Sequence, residues 1–202
     1  MRFILLLILW IPVQLLAQQE AARKVAYSHI KELHSGVLLV RIHNDDAVVA
    51  TMKSMHQDKL LKEKLEEVNT RTKEIYMAFT TGYTFTKVYF FYGRDSEKVK
   101  NGQLNGIFIG SDLEVDTAIQ VPENVSFYIM DVGDIYFEAY GGHFDGMIVM
   151  NNSFEALKKP FPYYVRKRSG FALIRRSYLD MVLLIQREFD KFYKESEHPR
   201  GH

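Results

Sequence analysis

The sequence predicts one mixed α/β domain, three-layer-like, whose central sheet starts as a parallel β-α-β unit and ends in antiparallel strands. Two apolar runs, 37–42 and 87–92, flank a charged segment with helical spacing. Short β-rich pieces then follow one another too closely for helices to lie between them. The chain has 202 residues, 47% of them hydrophobic and none of them cysteine, so a single apolar core must hold it together.

Residues 1–17 have the layout of a secretory signal peptide. Arg2 supplies positive charge, residues 3–13 are an apolar run, and Ala17 is a small residue suited to cleavage. The alternative is a membrane anchor, but a spanning helix needs about 20 apolar residues and this run is shorter. We therefore expect cleavage near Ala17, a periplasmic or secreted location in a bacterial envelope, and no transmembrane segment in the mature chain.

The charge of the mature chain argues against one class of partner. Cleavage would remove only Arg2 from the 26 basic residues, which leaves 25 against 25 acidic residues. A general nucleic-acid binder normally carries a clear basic excess. We expect no nucleic-acid partner.

The first helix is predicted at 18–35, with Gly36 closing it. Its apolar face consists of Ala22, Val25, Ala26, Ile30 and Leu33. Residues 37–42, which follow, form an apolar run typical of a strand buried on both faces. The mature chain is expected to be one domain, 18–195, with a disordered tail at 196–202.

A long helix is predicted at 47–79, with Asp45 or Asp46 as its N-cap. Its apolar stripe is Leu61, Leu65, Val68, Ile75 and Phe79. Charged residues cover its other faces. The segment is long enough to be either one helix or two, and the sequence leaves both alternatives open.

The second strand, 87–92, completes the parallel unit, and Ser96 begins a short helix that ends near Gly102. Further strand pieces read "GIFIG", "VSFYIMDV", "IYFEAY", "GMIVM" and "FALI". A last helix is predicted at 177–194, where Ser177 and Asp180 form a variant of the capping box. Its buried face consists of Tyr178, Val182, Ile185, Phe189 and Phe192.

Charge is segregated in the second half of the chain. Residues 101–157 contain no Lys or Arg but nine acidic residues, and 158–176 contain no Asp or Glu but seven basic ones. The two blocks could neutralise each other across neighbouring strands. Alternatively, each block is a separate interaction patch.

Candidate catalytic residues follow the two parallel strands. Ligands of parallel sheets bind beyond the carboxyl ends of the strands. The candidates there are His43, Asp45, Asp46, Arg94 and Asp95. Together they could hold an anion or a divalent ion, although Asp45 and Asp46 are also ordinary helix caps.

A second group surrounds Gly141-Gly142 and consists of Asp131, Asp134, His143 and Asp145. Carboxylate and imidazole groups can bind a metal or exchange protons. Their spacing matches no metal-ligand pattern, and Asp and Gly are common in turns for backbone reasons. We expect no metal and no cofactor.

The segment "KKPFPYYVRKRSG", Lys158–Gly170, combines prolines, aromatic residues and positive charge. Alternation in an extended chain places Phe161, Tyr163 and Val165 on one face. It is either an edge strand protected by proline and charge, or a surface for a glycan, a lipid headgroup or an acidic partner. The candidate binding residues are Tyr163, Tyr164, Arg166, Lys167 and Arg168.

Two motifs, "VYFFYGRDSEKV" and "FEALKKPFPYYVR", resemble an uncharacterised family of short secreted proteins of Gram-negative bacteria. The resemblance covers about residues 37–193. It implies an envelope location and a single domain, but no activity, cofactor or catalytic residue.

Two functions therefore compete. The first is a non-catalytic envelope protein that binds a protein partner or an anionic polymer through the basic aromatic segment. The second is a hydrolase or transferase with its site at the carboxyl ends of strands 37–42 and 88–92. The chain has no cysteine nucleophile and no Gly-x-Ser-x-Gly motif, which favours the first. Convergence of His43, Arg94 and Asp95 in one pocket would favour the second.

Overall fold

The computed structural model describes residues 2–122, 124–137, 142–168 and 175–199, with side chains from Gln18 onward. Its strands are β1 (Val37–Ile42), β2 (Lys87–Tyr92), β3 (Phe127–Phe137), β4 (Gly142–Met150) and β5 (Tyr164–Arg166). Its α-helices are α1 (Arg2–Ser35), α2 (Asp46–Ser54), α3 (Asp58–Gly82), α4 (Ser96–Lys100) and α5 (Tyr178–Glu197). A short 3-10 turn, Gly93–Asp95, joins β2 to α4.

One mixed five-stranded sheet organises the fold, in the order β2-β1-β3-β4-β5. β1 pairs in parallel with β2 on one side and with β3 on the other. β4 then pairs antiparallel with β3, and β5 antiparallel with β4. The predicted parallel start and antiparallel C-terminal strands are confirmed.

The strand pieces of the second half combine differently from the prediction. "VSFYIMDV" and "IYFEAY" contribute to one long strand, β3, which forms a hairpin with β4. The "GIFIG" piece is not a sheet strand and makes only isolated bridges, Phe91 to Phe108 and Ile109 to Val115. "FALI", at 171–174, lies outside the described residues.

The helical segment after β1 is two helices rather than one. α2 ends at Ser54 and α3 begins at Asp58, and between them His56 has a positive φ of 54°, a left-handed conformation that no α-helix continues through. Val68, Ile75 and Phe79 are buried as predicted, but Leu65 is 45% exposed. The apolar stripe therefore meets the core only from Val68, in the third turn of α3, onward.

α1 is longer than predicted and packs through its second half only. The helix is continuous from Arg2 to Ser35. Ala26, Ile30 and Leu33 are buried as predicted. Ala22 is exposed and Val25 is 57% exposed, so the prediction that they belong to the buried face is wrong. Among helices with described side chains, none has an apolar stretch long enough to cross a membrane.

α5 follows the prediction closely at its start. The Ser177 side chain accepts a hydrogen bond from the amide of Asp180, and the Asp180 carboxylate accepts one from the amide of Ser177, which completes the capping box. All five residues of the predicted face are buried. The helix runs to Glu197 and so includes the first two residues of the expected tail, 196 and 197.

The sheet is covered on both faces by different material. Three helices, α1, α3 and α5, bury one face with a large aromatic and aliphatic core. The opposite face is covered over its first half by α4 and the irregular segment 101–126, through Val99, Ile107 and Phe108. This second cover is the third layer of the domain.

We predict that Phe91→Ala destabilises the protein by about 3–5 kcal/mol, because the ring is completely buried between β2 and the second cover. Urea unfolding measures this loss. The control is Leu65→Ala, which should change the free energy of unfolding by no more than about 0.5 kcal/mol since Leu65 is largely exposed. Equal losses for both variants would contradict the assignment of β2 as a core strand.

Candidate functional site

On the sheet face opposite the helices, two neighbouring rows of paired residues contain the charged and aromatic side chains of interest. In the first row the pairing runs from Arg41 through Asp131 and Ile148 to Tyr164. In the second, Gly133 pairs with Gly146, which pairs with Arg166. Residues paired across strands share a face of the sheet. The strand-end residues of β1 and the basic segment of β5 therefore lie on the same face, at the same level.

Arg41, His43 and Asp131 form a compact strand-end cluster. His43 donates from Nε2 to Asp131 Oδ1 at 2.6 Å, and Arg41 Nη1 lies 3.4 Å from the other carboxylate oxygen. Asp131 is only 7% exposed, so these two partners replace the water that its charge loses on folding. Two glycines flank the imidazole: Gly93 lies near Nδ1, and Gly133, with φ 145°, lies near Cδ2.

The cluster has an oriented imidazole but no assembled nucleophile. An ionised carboxylate only accepts hydrogen bonds, so Nε2 carries the proton and Nδ1 of the neutral ring is an acceptor. A catalytic triad would place a hydroxyl or thiol donor at that second nitrogen. In the described part of the chain, no side chain donates a hydrogen bond to Nδ1 of His43.

The Asp45 side chain forms ion pairs with α3 instead of capping α2. As the N-cap residue of α2 it makes no side-chain capping bond. Its carboxylate instead accepts from Arg71 at 3.0 Å and pairs with Lys64 at 2.9 Å, which ties α3 to the end of β1. Burial alone would raise the pKa of this carboxyl, but the hydrogen bonds and charges of Lys64 and Arg71 outweigh it and lower the pKa. Asp46 is exposed at the first position of α2.

Arg94 and Asp95 do not join His43. Asp95 is buried and pairs with Lys98 at 2.7 Å. Arg94 lies over the ring of Tyr92, 4.9 Å from its centroid, and 3.9 Å from Asp95. Four of the five strand-end candidates are therefore divided among separate ion pairs, and Asp46 is exposed, so the five do not converge in one pocket.

The second predicted group is likewise divided. Asp131 belongs to the strand-end cluster, and Asp134 lies 3.3 Å from His143 in an exposed pair. Asp145 pairs with Lys167 and Arg175. Over the described ranges, no three His, Asp or Glu side chains come together as metal ligands could.

The basic segment contains an edge strand whose side chains alternate as the sequence predicts. Phe161, Tyr163 and Val165 are buried against the helices, while Tyr164 is partly exposed and Arg166 is exposed. Among the described residues β5 is the last strand of the sheet, and just beyond it the exposed Arg168 forms an isolated antiparallel bridge with Arg175. The edge-strand interpretation of this segment agrees with these positions.

Lys167, one of the candidate binding residues, is buried instead of exposed to a partner. It is only 9% exposed, and its ammonium group lies 4.1 Å from the centroid of the Tyr178 ring. Nζ also donates to the Tyr178 hydroxyl at 3.0 Å and lies 3.4 Å from Asp145. The acidic and basic blocks therefore do neutralise each other at this point, and Lys167 is part of the scaffold.

Phe144, Tyr164 and Arg166 form an aromatic–arginine cluster on the outer face of β4 and β5. The Arg166 guanidinium carbon lies 5.4 Å from the centroid of Phe144 and 5.9 Å from that of Tyr164. The two rings are 6.0 Å apart. A methyl group on Gly146 would come within 2.8 Å of the Phe144 ring, so glycine at 146 lets that ring lie close to the strand.

Sequence reasoning missed Arg41 and Phe144 as site residues. Arg41 had a signal, because it and Asp131 are the charges of opposite sign that interrupt two otherwise apolar strands. Such a pair in neighbouring buried strands is expected to meet. Phe144 had none, since its role depends on the register of β4 with β5.

Comparison of the chain with known protein families, with curated proteins and with solved structures finds no match. The resemblance to secreted proteins of Gram-negative bacteria stays a prediction.

We predict that Asp131→Ala destabilises the protein by about 1–3 kcal/mol, because it leaves Arg41 and His43 without their shared acceptor. Thermal or urea unfolding provides the measurement. Asp134→Ala is the matched control on the same strand, and its exposed pair with His143 should contribute no more than about 0.5 kcal/mol. If Asp131→Ala left the free energy of unfolding unchanged, the strand-end cluster would not hold β1 to β3.

Proposed function

We propose that this chain is an exported, non-catalytic protein that binds an anionic polymer, of the class of acidic polysaccharides, through β5 and the segment before it. The observation that carries the proposal is the aromatic–arginine cluster. Its guanidinium is held against two rings and is exposed at the last strand of the sheet. Arginine in this position can pair with a carboxylate in a fixed orientation, while ring faces contact the apolar face of a sugar.

Further cations in the turn that precedes β5 favour a polymer over a single small anion. Lys158 and Lys159 are exposed, and in the described part of the chain no acidic side chain lies within ion-pair distance of either. One exposed ion pair contributes no more than about 1 kcal/mol. A chain with repeated charges engages several cations at once and so gains affinity through effective concentration.

The geometry supports binding over hydrolysis or group transfer. Catalysis at the strand ends would need His43, Arg94 and Asp95 to work together, and Arg94 and Asp95 pair elsewhere. The His43–Asp131 pair has the orientation of an acid–base dyad. No described side chain offers a hydroxyl or thiol at the other nitrogen of His43, so we assign the pair to linking β1 to β3.

Export is part of the proposal, and the packing of α1 is compatible with it. The helix contributes to the core through Ala26, Ile30 and Leu33. Cleavage after Ala17 would leave those contacts in place. We predict that the protein recovered from the periplasm of a Gram-negative host begins at Gln18 or within a few residues of it. Edman sequencing gives the answer, and an intact Met1 on cytoplasmic protein would refute export.

Binding is tested by affinity electrophoresis in gels that contain polygalacturonate, with neutral dextran as the comparison polymer. We predict that the triple variant Lys158→Gln, Lys159→Gln, Arg166→Gln binds polygalacturonate at least about tenfold more weakly, because three exposed cations are lost. Binding by the unmodified protein should weaken as salt rises, since the Debye length falls below about 8 Å above physiological ionic strength.

The matched control is Lys59→Gln, Lys62→Gln, Lys73→Gln, which makes the same change in net charge on the exposed face of α3. It should retain full binding. If both triple variants bound polygalacturonate equally, the position of the lost cations would not matter, and the proposed binding surface would be wrong. Equal retardation in dextran and polygalacturonate would show that the anionic groups are not recognised, and no retardation in either would remove the polymer as a ligand.

A further inference from the structure

A cleft lies along the outer edge of β2, at the opposite end of the sheet from β5. Its volume is about 360 Å³, within the range of ligand-binding pockets. The lining is mostly apolar and comes from α3, β2 and the segment 108–120. None of these residues belongs to the strand-end cluster or to the aromatic–arginine cluster.

The outer edge of β2 is paired over its second half only. The Ile109 amide donates to the Phe90 carbonyl at 2.9 Å, and Phe91 forms an antiparallel bridge with Phe108. The chain then leaves the edge at Gly110, whose amide donates to the Glu114 carbonyl in a tight turn. The ladder on this side of β2 therefore stops just before Val88.

The backbone of Val88 is left facing the cleft. Amide and carbonyl of one residue point to the same edge of a strand, and successive residues alternate between edges. Since the Phe90 carbonyl points outward, the amide and carbonyl of Val88 do too. Over the described ranges, no backbone or side-chain group pairs with Val88 on that edge. An open edge of this kind is a template for another extended chain.

The walls of the cleft determine which side chains an added strand could place there. On the helix side stand Tyr76 and Thr80 of α3, and on the opposite side Phe108 and Ile119. A strand added to β2 would place successive side chains on these two walls in turn. Both walls offer apolar surface, so the fitting sequence is a continuous apolar run, as in strands buried on both faces.

One charge marks the end of the cleft. Lys87, the first residue of β2, lines it and is exposed, with Nζ held 4.9 Å from the centroid of the Tyr89 ring. No acidic side chain is within ion-pair distance of Lys87 in the described part of the chain. A carboxylate at one end of the added strand would complement this ammonium group.

We propose that the β2 edge is a peptide-binding groove, which accepts an extended segment of another protein by strand addition. The segment has three or four consecutive apolar residues and an acidic residue beside Lys87. Its main chain bonds to the Val88 amide and carbonyl and so continues the ladder that Ile109 begins. Main-chain pairing supplies affinity in such complexes, and the side-chain pockets supply selectivity. This inference does not rest on polymer binding at β5.

Selection from a phage-displayed library of random octapeptides, with the purified protein as bait, tests the groove. Peptides with an apolar run next to Asp or Glu should be enriched. Thr80→Arg fills the groove from the α3 side and should weaken binding of the enriched peptides at least about tenfold. Thr81→Arg is the matched control, because Thr81 is equally exposed on α3 but does not line the cleft. Both variants replace threonine with arginine, which is a better helix former, and circular dichroism checks their folding.

The mode of binding is tested separately by peptide N-methylation. Methylation at alternate residues, those whose amides face β2, should abolish binding, while methylation at the intervening residues should not. Bound peptide should also slow hydrogen exchange at the Val88 amide at least about tenfold. The proposal is overturned by failure to enrich any peptide, by equal binding to the Thr80 and Thr81 variants, or by an unchanged Val88 amide. A concentration-dependent dimer that Thr80→Arg dissociates would assign the groove to a second copy of this chain instead.

Discussion

The fold depends on the position of β1 between two parallel neighbours. Both edges of this strand pair with other strands. Its side chains are buried on both faces except that of Arg41, which is half-buried. Polar groups in such a strand are costly to leave unpaired, at about 1–3 kcal/mol for a buried donor or acceptor, and among the described residues Arg41 already leaves its buried Nε without a hydrogen-bond partner. Its one charged side chain must therefore find an acceptor within the sheet. Asp131, its direct neighbour on β3, provides that acceptor, and the same carboxylate orients His43.

The two faces of the sheet have different consequences for function. The helix-covered face takes up most of the aromatic and aliphatic side chains and fixes which residues of β5 point inward. The other face is covered over its first half by α4 and segment 101–126. Polar and partly exposed side chains collect on the remainder, at the level of the Gly133–Gly146 pair. The aromatic–arginine cluster is a product of that division, since Phe144 and Arg166 face away from the helices.

The edges of the sheet are handled in two ways. β5 is a three-residue strand with prolines before it and exposed charge on it, which discourages pairing with another sheet. β2 carries its own partial cover, residues 107–109, and this cover reaches only as far as Phe90, so in the described part of the chain it leaves the first half of the strand unpaired on that edge. These two incompletely covered edges are the places where binding is proposed. Binding at one edge by charge and at the other by main-chain pairing would leave the core unchanged.

The sequence by itself determined the local features of this protein: the bounds of β1 and β2, the capping box at Ser177, the buried face of α5 and the alternation around Tyr163. Each depends on apolar periodicity or on side chains a few residues apart, which the chain carries locally. Only the tertiary structure decided that 47–79 divides into two helices, that β3 joins β1 in parallel, that Lys167 is buried on Tyr178 and that Asp131 belongs with His43. Those outcomes depend on strand register and on contacts between residues as far apart as positions 43 and 131, and the pairing of distant strands is not encoded in the spacing of neighbouring residues.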